Sequence, residues 1–144
     1  MSMELKAYKS VGDLIKELDD EVNRIKTILG EYLRRLDESR ARVEKIRKAQ
    51  EAIAKLTGGK TQATVKTTGS QTIDLMGLKV IVNVSPEEEA EVLEESVRTL
   101  QDKLNVLQRV RKALEPLSTL DEGGTAITAV MSDSIPTRLL LKIV

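Results

Sequence analysis

Residues 11–59 read VGDLIKELDDEVNRIKTILGEYLRRLDESRARVEKIRKAQEAIAKLTGG. Val11, Leu18, Ile25, Tyr32, Ile46 and Ile53 fall seven apart, and Ser39 is the one polar occupant of that series. Ile15, Val22, Leu29, Leu36 and Val43 form a second seven-residue series interleaved with the first. Together they step by four and three, the spacing of a coiled-coil seam. Gly58-Gly59 ends the run, because glycine takes the left-handed conformation that a helix C-terminus favours. A seam this long cannot bury itself. It calls for a partner helix, from later in the chain or from another copy.

Working outward, the pattern predicts helix one over 10–57, with Ser10 as N-cap and Asp13 three residues on. Residues 1–9 read as a short leader. Residues 60–84 change period: Thr61–Thr68 and Lys79–Val84 are β-branched runs broken by turn residues at Thr68-Gly69-Ser70 and Met76-Gly77. Ser85-Pro86-Glu87-Glu88 is a capping box with proline at the first helical position, and Glu87, Glu88 and Glu89 suit the positive end of the helix dipole. Helix two then runs over 85–117, with Leu93, Val97, Leu100, Leu104, Leu107 and Leu114 as its seam and Arg111 as the interruption. A strand-rich tail follows over 118–144, with candidate strands at Thr125–Val130 and Arg138–Val144. The fold class expected is α+β in a single unit over 1–144. Two long helices form an antiparallel coiled-coil hairpin, with a small β segment between them and a β-rich tail.

Charge supports the hairpin. From Arg34 to Lys55 there are eight basic and four acidic residues; from Glu87 to Asp102 there are seven acidic and one basic. Folding back would set these blocks against each other and select a register. The helices are unequal. Aligned at the β segment, helix two runs out near residue 26 of helix one. That leaves Val11, Leu14, Ile15, Leu18, Val22 and Ile25 without a helix partner, at ~1.5–3 kcal/mol for each large aliphatic left in water. Either the apolar tail covers them, or another subunit or a client does. With Leu114 and Leu117 of helix two, these are the candidate protein-binding residues.

Composition narrows the chemistry. Lys plus Arg balances Asp plus Glu at 23 each, which argues against a dedicated nucleic-acid binder. Tyr8 and Tyr32 are the sole aromatics, so stacking platforms for single strands are lacking. There is no Cys and no His, which removes thiol chemistry and the commonest general base and metal ligand. No apolar run is long enough to cross a bilayer, and Met1–Ser10 lacks a signal-peptide core, so a cytoplasmic protein is expected. High charge without Cys also suits a thermophilic source.

Three constellations have plainer readings. Gly58-Gly59-Lys60-Thr61 echoes the end of a P-loop, but Ala54 stands where its first glycine belongs and the helix precedes the strand. Glu87, Glu88, Glu89 and Glu91 wrap around a helix start instead of converging on a cation. Arg34, Arg35, Arg40, Arg42, Lys45, Arg47 and Lys48 could meet phosphates, or flank a coiled coil opposite the acidic start of helix two. No serine or threonine sits in a nucleophile motif. No enzyme activity, catalytic residue, metal site or cofactor is expected.

Lys79-Val80-Ile81-Val82-Asn83-Val84, then Leu93-Glu94-Glu95-Ser96-Val97 and Leu100–Leu104, resemble the last strand and the opening of the second helix of prefoldin alpha-type subunits. The resemblance spans 10–117. It departs from the family at Ser85-Pro86, in the unequal helices and in the added tail. It implies an oligomeric, ATP-independent chaperone. The strands around 61–84 would build the assembly platform, and the helix ends near Val11–Ile25 and Leu114–Leu117 would hold non-native chains. The alternative is a scaffold or adaptor that dimerises through its coiled coils and docks a protein by its β segment or tail. The expected partners are another copy or a related subunit, together with protein partners or unfolded clients.

Overall fold

The computed structural model describes residues 3–56, 71–82 and 84–142. The expected strand at Thr61–Thr68, the double glycine and the P-loop echo lie outside those residues. The fold is α+β. In chain order it comprises β1 (Met3–Tyr8), α1 (Val11–Leu56), β2 (Gln71–Leu75), β3 (Leu78–Val82), α2 (Pro86–Leu114), a 3-10 segment (Glu115–Gly123), β4 (Ala126–Ser132) and β5 (Ile135–Lys142). The chain divides into two compact units. One holds Met1–Leu29 and Thr99–Val144; the other holds Gly30–Arg98.

Both helix starts are built as their sequences require. The Asp13 N–H donates to Ser10 Oγ at 3.0 Å. Ser85 and Glu88 cap each other: Glu88 N–H donates to Ser85 Oγ at 3.1 Å, and Ser85 N–H donates to Glu88 Oε1 at 3.3 Å. Helix two stops at Leu114, short of the expected Leu117, because Pro116 lies in the first turn of the 3-10 segment that follows.

In the first unit, β1, β4 and β5 form an antiparallel sheet with β4 in the centre. The leader expected over 1–9 is therefore the edge strand β1, paired with a strand more than a hundred residues away. Ile127, Ala129 and Met131 alternate inward from β4 and are buried. Ile127 joins Val11, Leu14, Leu18, Val22, Ile25, Leu107 and Leu114 in one core cluster. Asp121 adds a second cap to α1. Its two carboxylate oxygens accept the N–H groups of Val11 at 2.6 Å and Gly12 at 3.1 Å.

In the second unit, Leu36, Ala90 and Leu93 form a smaller cluster with Tyr32 against it. Ser39, the polar break in the seam, is fully buried. The charge blocks meet as expected: Arg40 pairs with Glu94 at 2.8 Å, and Glu89 lies 3.8 Å from Arg42 and 4.0 Å from Arg35.

Both hairpins close with two-residue loops whose residues all have positive φ: Met76 (54°) and Gly77 (94°), Asp133 (54°) and Ser134 (63°). This is the turn whose twist matches paired strands. Only the first contains a glycine. An L-residue in this conformation costs roughly 1–2 kcal/mol, of which glycine's extra unfolded-state entropy would offset ~0.5–1 kcal/mol. Ser134→Gly is therefore expected to stabilise the protein by roughly 0.5–1 kcal/mol in urea unfolding. A destabilised variant would contradict this turn geometry.

Candidate functional site

The stripe singled out in the sequence is closed within the chain. Val11, Leu14, Leu18, Val22 and Ile25 are 0–8% exposed. Leu114 is buried with them, while Ile15 and Leu117 pack half-buried against the cluster. Coverage by the tail is one of the alternatives the sequence left open, and here the tail supplies Ile127, Ile135 and Leu139. The register behind the original concern is also different. Leu114 shares a cluster with Val11 and Leu14, so helix two reaches the start of helix one. In the second unit Arg42 meets Glu89, in the first turn of α2. Helix one therefore runs on past the start of helix two by about a dozen residues, ~18 Å at 1.5 Å per residue. The surplus lies at Lys45–Leu56, not at Val11–Ile25.

Arg111, the interruption in the second seam, binds Asp19 at 2.6 Å and also reaches Glu115. Lys103 lies 3.9 Å from Glu21 and 3.5 Å from Asp133. Lys6 binds Glu17 at 3.0 Å, so β1 turns a charge toward the helix. The Tyr8 hydroxyl and the Lys6 ammonium hold the Glu17 carboxyl below the usual carboxylate range, and burial of Tyr8 pushes its own hydroxyl up. Of these two neighbours, only Lys6 meets full hydrogen-bond geometry; the Tyr8 oxygen is buried without a partner.

Open apolar surface lies elsewhere: at Met3 and Leu5 of β1, at Leu140 of β5, at Ile53 and Leu56 of α1, and on the β2–β3 hairpin. In the β2–β3 hairpin, Ile73 pairs with Val80 and Leu75 with Leu78, so these four share one face with Val82. On that face Ile73 is 45%, Leu75 55%, Leu78 64% and Val82 39% exposed. The opposite face carries the cross-strand pairs Asp74–Lys79 and Thr72–Ile81. The hairpin is thus an amphipathic ribbon with its apolar side in water. Its edges also differ from those of the three-stranded sheet. There, β1 points Lys6 inward, and β5 carries Pro136 beside a bulge at Val130/Met131. These features discourage strand addition. The β2–β3 ladder is regular and has no proline.

A groove of about 580 Å³ on the three-stranded sheet is lined by Met3, Glu4, Leu5, Val130, Thr137 and Arg138. The Thr137 hydroxyl is committed to the Val130 carbonyl at 3.2 Å. Among the described residues, no group of three or more acidic side chains could hold a metal ion. Of the basic stripe, Arg34, Arg35, Arg40, Arg42 and Arg47 are engaged by glutamates. Among the described residues, no helix is long and apolar enough to cross a membrane.

No family model, curated protein or solved structure matches this chain.

If the Val11–Ile25 stripe is core, Leu18→Ala should destabilise the protein by roughly 2–5 kcal/mol in urea unfolding. A loss below about 0.5 kcal/mol would mark Leu18 as a surface residue instead.

Proposed function

We propose that this chain is a coiled-coil scaffold or adaptor whose β2–β3 hairpin docks a protein partner. The observation that carries the reading is the hairpin's open apolar face on a regular two-stranded ladder without proline or bulge. A two-stranded hairpin alone is marginal in water, and a third strand or a covering surface stabilises it. Addition of a strand to its edge, with alternate side chains seated in pockets, is an established mode of peptide recognition. The helices serve as the rigid carrier. In the first unit Asp19 meets Arg111 and Glu21 meets Lys103, so numbering rises on one helix as it falls on the other. This supports the antiparallel coiled-coil hairpin expected from the seams.

The second reading is the prefoldin-like chaperone, and the same hairpin favours it, since the resemblance assigns assembly to this segment. In that reading the holding surface is something other than the intact Val11–Ile25 core.

A photo-crosslinking amino acid at Leu78 of the full chain, in cells, separates the readings. The adaptor predicts one defined partner band, lost when Ile73→Lys is added. Crosslinks to many unrelated chains, with suppressed aggregation of an unfolding client in the absence of ATP, would favour the chaperone. No crosslink at Leu78 would overturn the hairpin as a docking element.

A further inference from the structure

We infer that a second copy of this chain docks on the second unit. The projecting end of α1, Lys45–Leu56, would lie along the acidic start of α2 in the partner, with the reciprocal contact made by a two-fold axis. The inference rests on the scaffold reading and names its self-partner; the hairpin remains the site for a different protein.

Internal pairing leaves charges over on both surfaces. Arg35, Arg40 and Arg42 consume Glu89 and Glu94. Lys45, Lys48 and Lys55 are exposed and have no ion pair among the described residues. Steps of three and seven put them on one flank of the helix. Beside that flank runs an apolar stripe, Ala49–Ile53–Leu56, in which Ile53 is 55% and Leu56 86% exposed. On α2, Glu87, Glu91 and Glu95 are likewise exposed and have no ion pair among the described residues. Val92 stands among Glu88, Glu91 and Glu95, one turn or one residue away, and is 51% exposed. Lys48 and Lys55 are about 10 Å apart along the helix, and Glu87 and Glu95 about 12 Å.

The end of α1 is therefore an apolar strip with a basic flank, the start of α2 is the exposed Val92 within an acidic flank, and the two flanks are opposite in sign. Pairing like with like is disfavoured: two α1 ends would oppose lysines, and two α2 starts would oppose glutamates. Pairing unlike surfaces satisfies both. Because both belong to one unit of one chain, a two-fold axis forms the contact twice and closes the assembly. The net charge of zero leaves no overall repulsion between copies.

Charge reversal in the full chain tests this by sedimentation equilibrium, with circular dichroism to confirm folding. Lys48→Glu with Lys55→Glu opposes acid to acid in both contacts. Glu91→Lys with Glu95→Lys opposes base to base. Each variant should weaken self-association at least about ten-fold, and an equimolar mixture should restore it, because both contacts in the mixed pair are again complementary. Added salt should weaken the wild-type dimer. A monomeric wild-type chain, variants that associate like wild type, or a mixture that fails to recover would each overturn the inference. The Leu78 crosslink reports on the hairpin separately, so its loss or survival is distinguishable from these outcomes.

Discussion

Burial of the start of α1 is the constraint on which the rest of the structure depends. Leu14, Leu18 and Ile25 are almost wholly withdrawn from water, against Leu107 and Leu114 of α2 and Ile127 of the sheet. Each contributes ~1.5–3 kcal/mol relative to exposure. The tail is held in place by β1–β4 pairing and by Asp121, which caps the helix that the tail covers. The core of the first unit is thereby covered mainly by aliphatic side chains, with Tyr8 packed against it.

The second unit is built differently. Its cluster of Leu36, Ala90 and Leu93 is small, and ion pairs from arginines to Glu89 and Glu94 flank it. Exposed pairs of this kind choose register more than they add stability. The unit also leaves open the apolar face of β2–β3 and the stripe at the end of α1.

Much of this was legible locally. The helix α1, the Ser85–Glu88 capping box and the facing charge blocks are written in spacings of three, four and seven, and the structure contains each of them. What was hidden is non-local. Met3–Tyr8 alternates in a strand-like way, but its partner is β4, and six residues carry too little signal to announce that. The Asp133-Ser134 turn has no glycine to mark it. The helix register could not be read from lengths, because Asp121, Arg111 and β4 align Leu114 with the start of α1. The surplus then falls at Lys45–Leu56. The Val11–Ile25 stripe, offered as protein-binding, is covered within the chain; the signal for the open hairpin face was the alternation of Leu78, Val80 and Val82.

Hydrogen–deuterium exchange of the full chain across a dilution series distinguishes a buried Val11–Ile25 stripe from an exposed one. The slowest exchange is expected at residues 11–25, 103–114 and 126–131 at every concentration. Residues 71–82 should exchange fast. Rapid exchange over 11–25 in a chain whose 71–82 segment is strongly protected at high dilution would contradict that burial, returning the Val11–Ile25 stripe to the surface and making the hairpin part of the core.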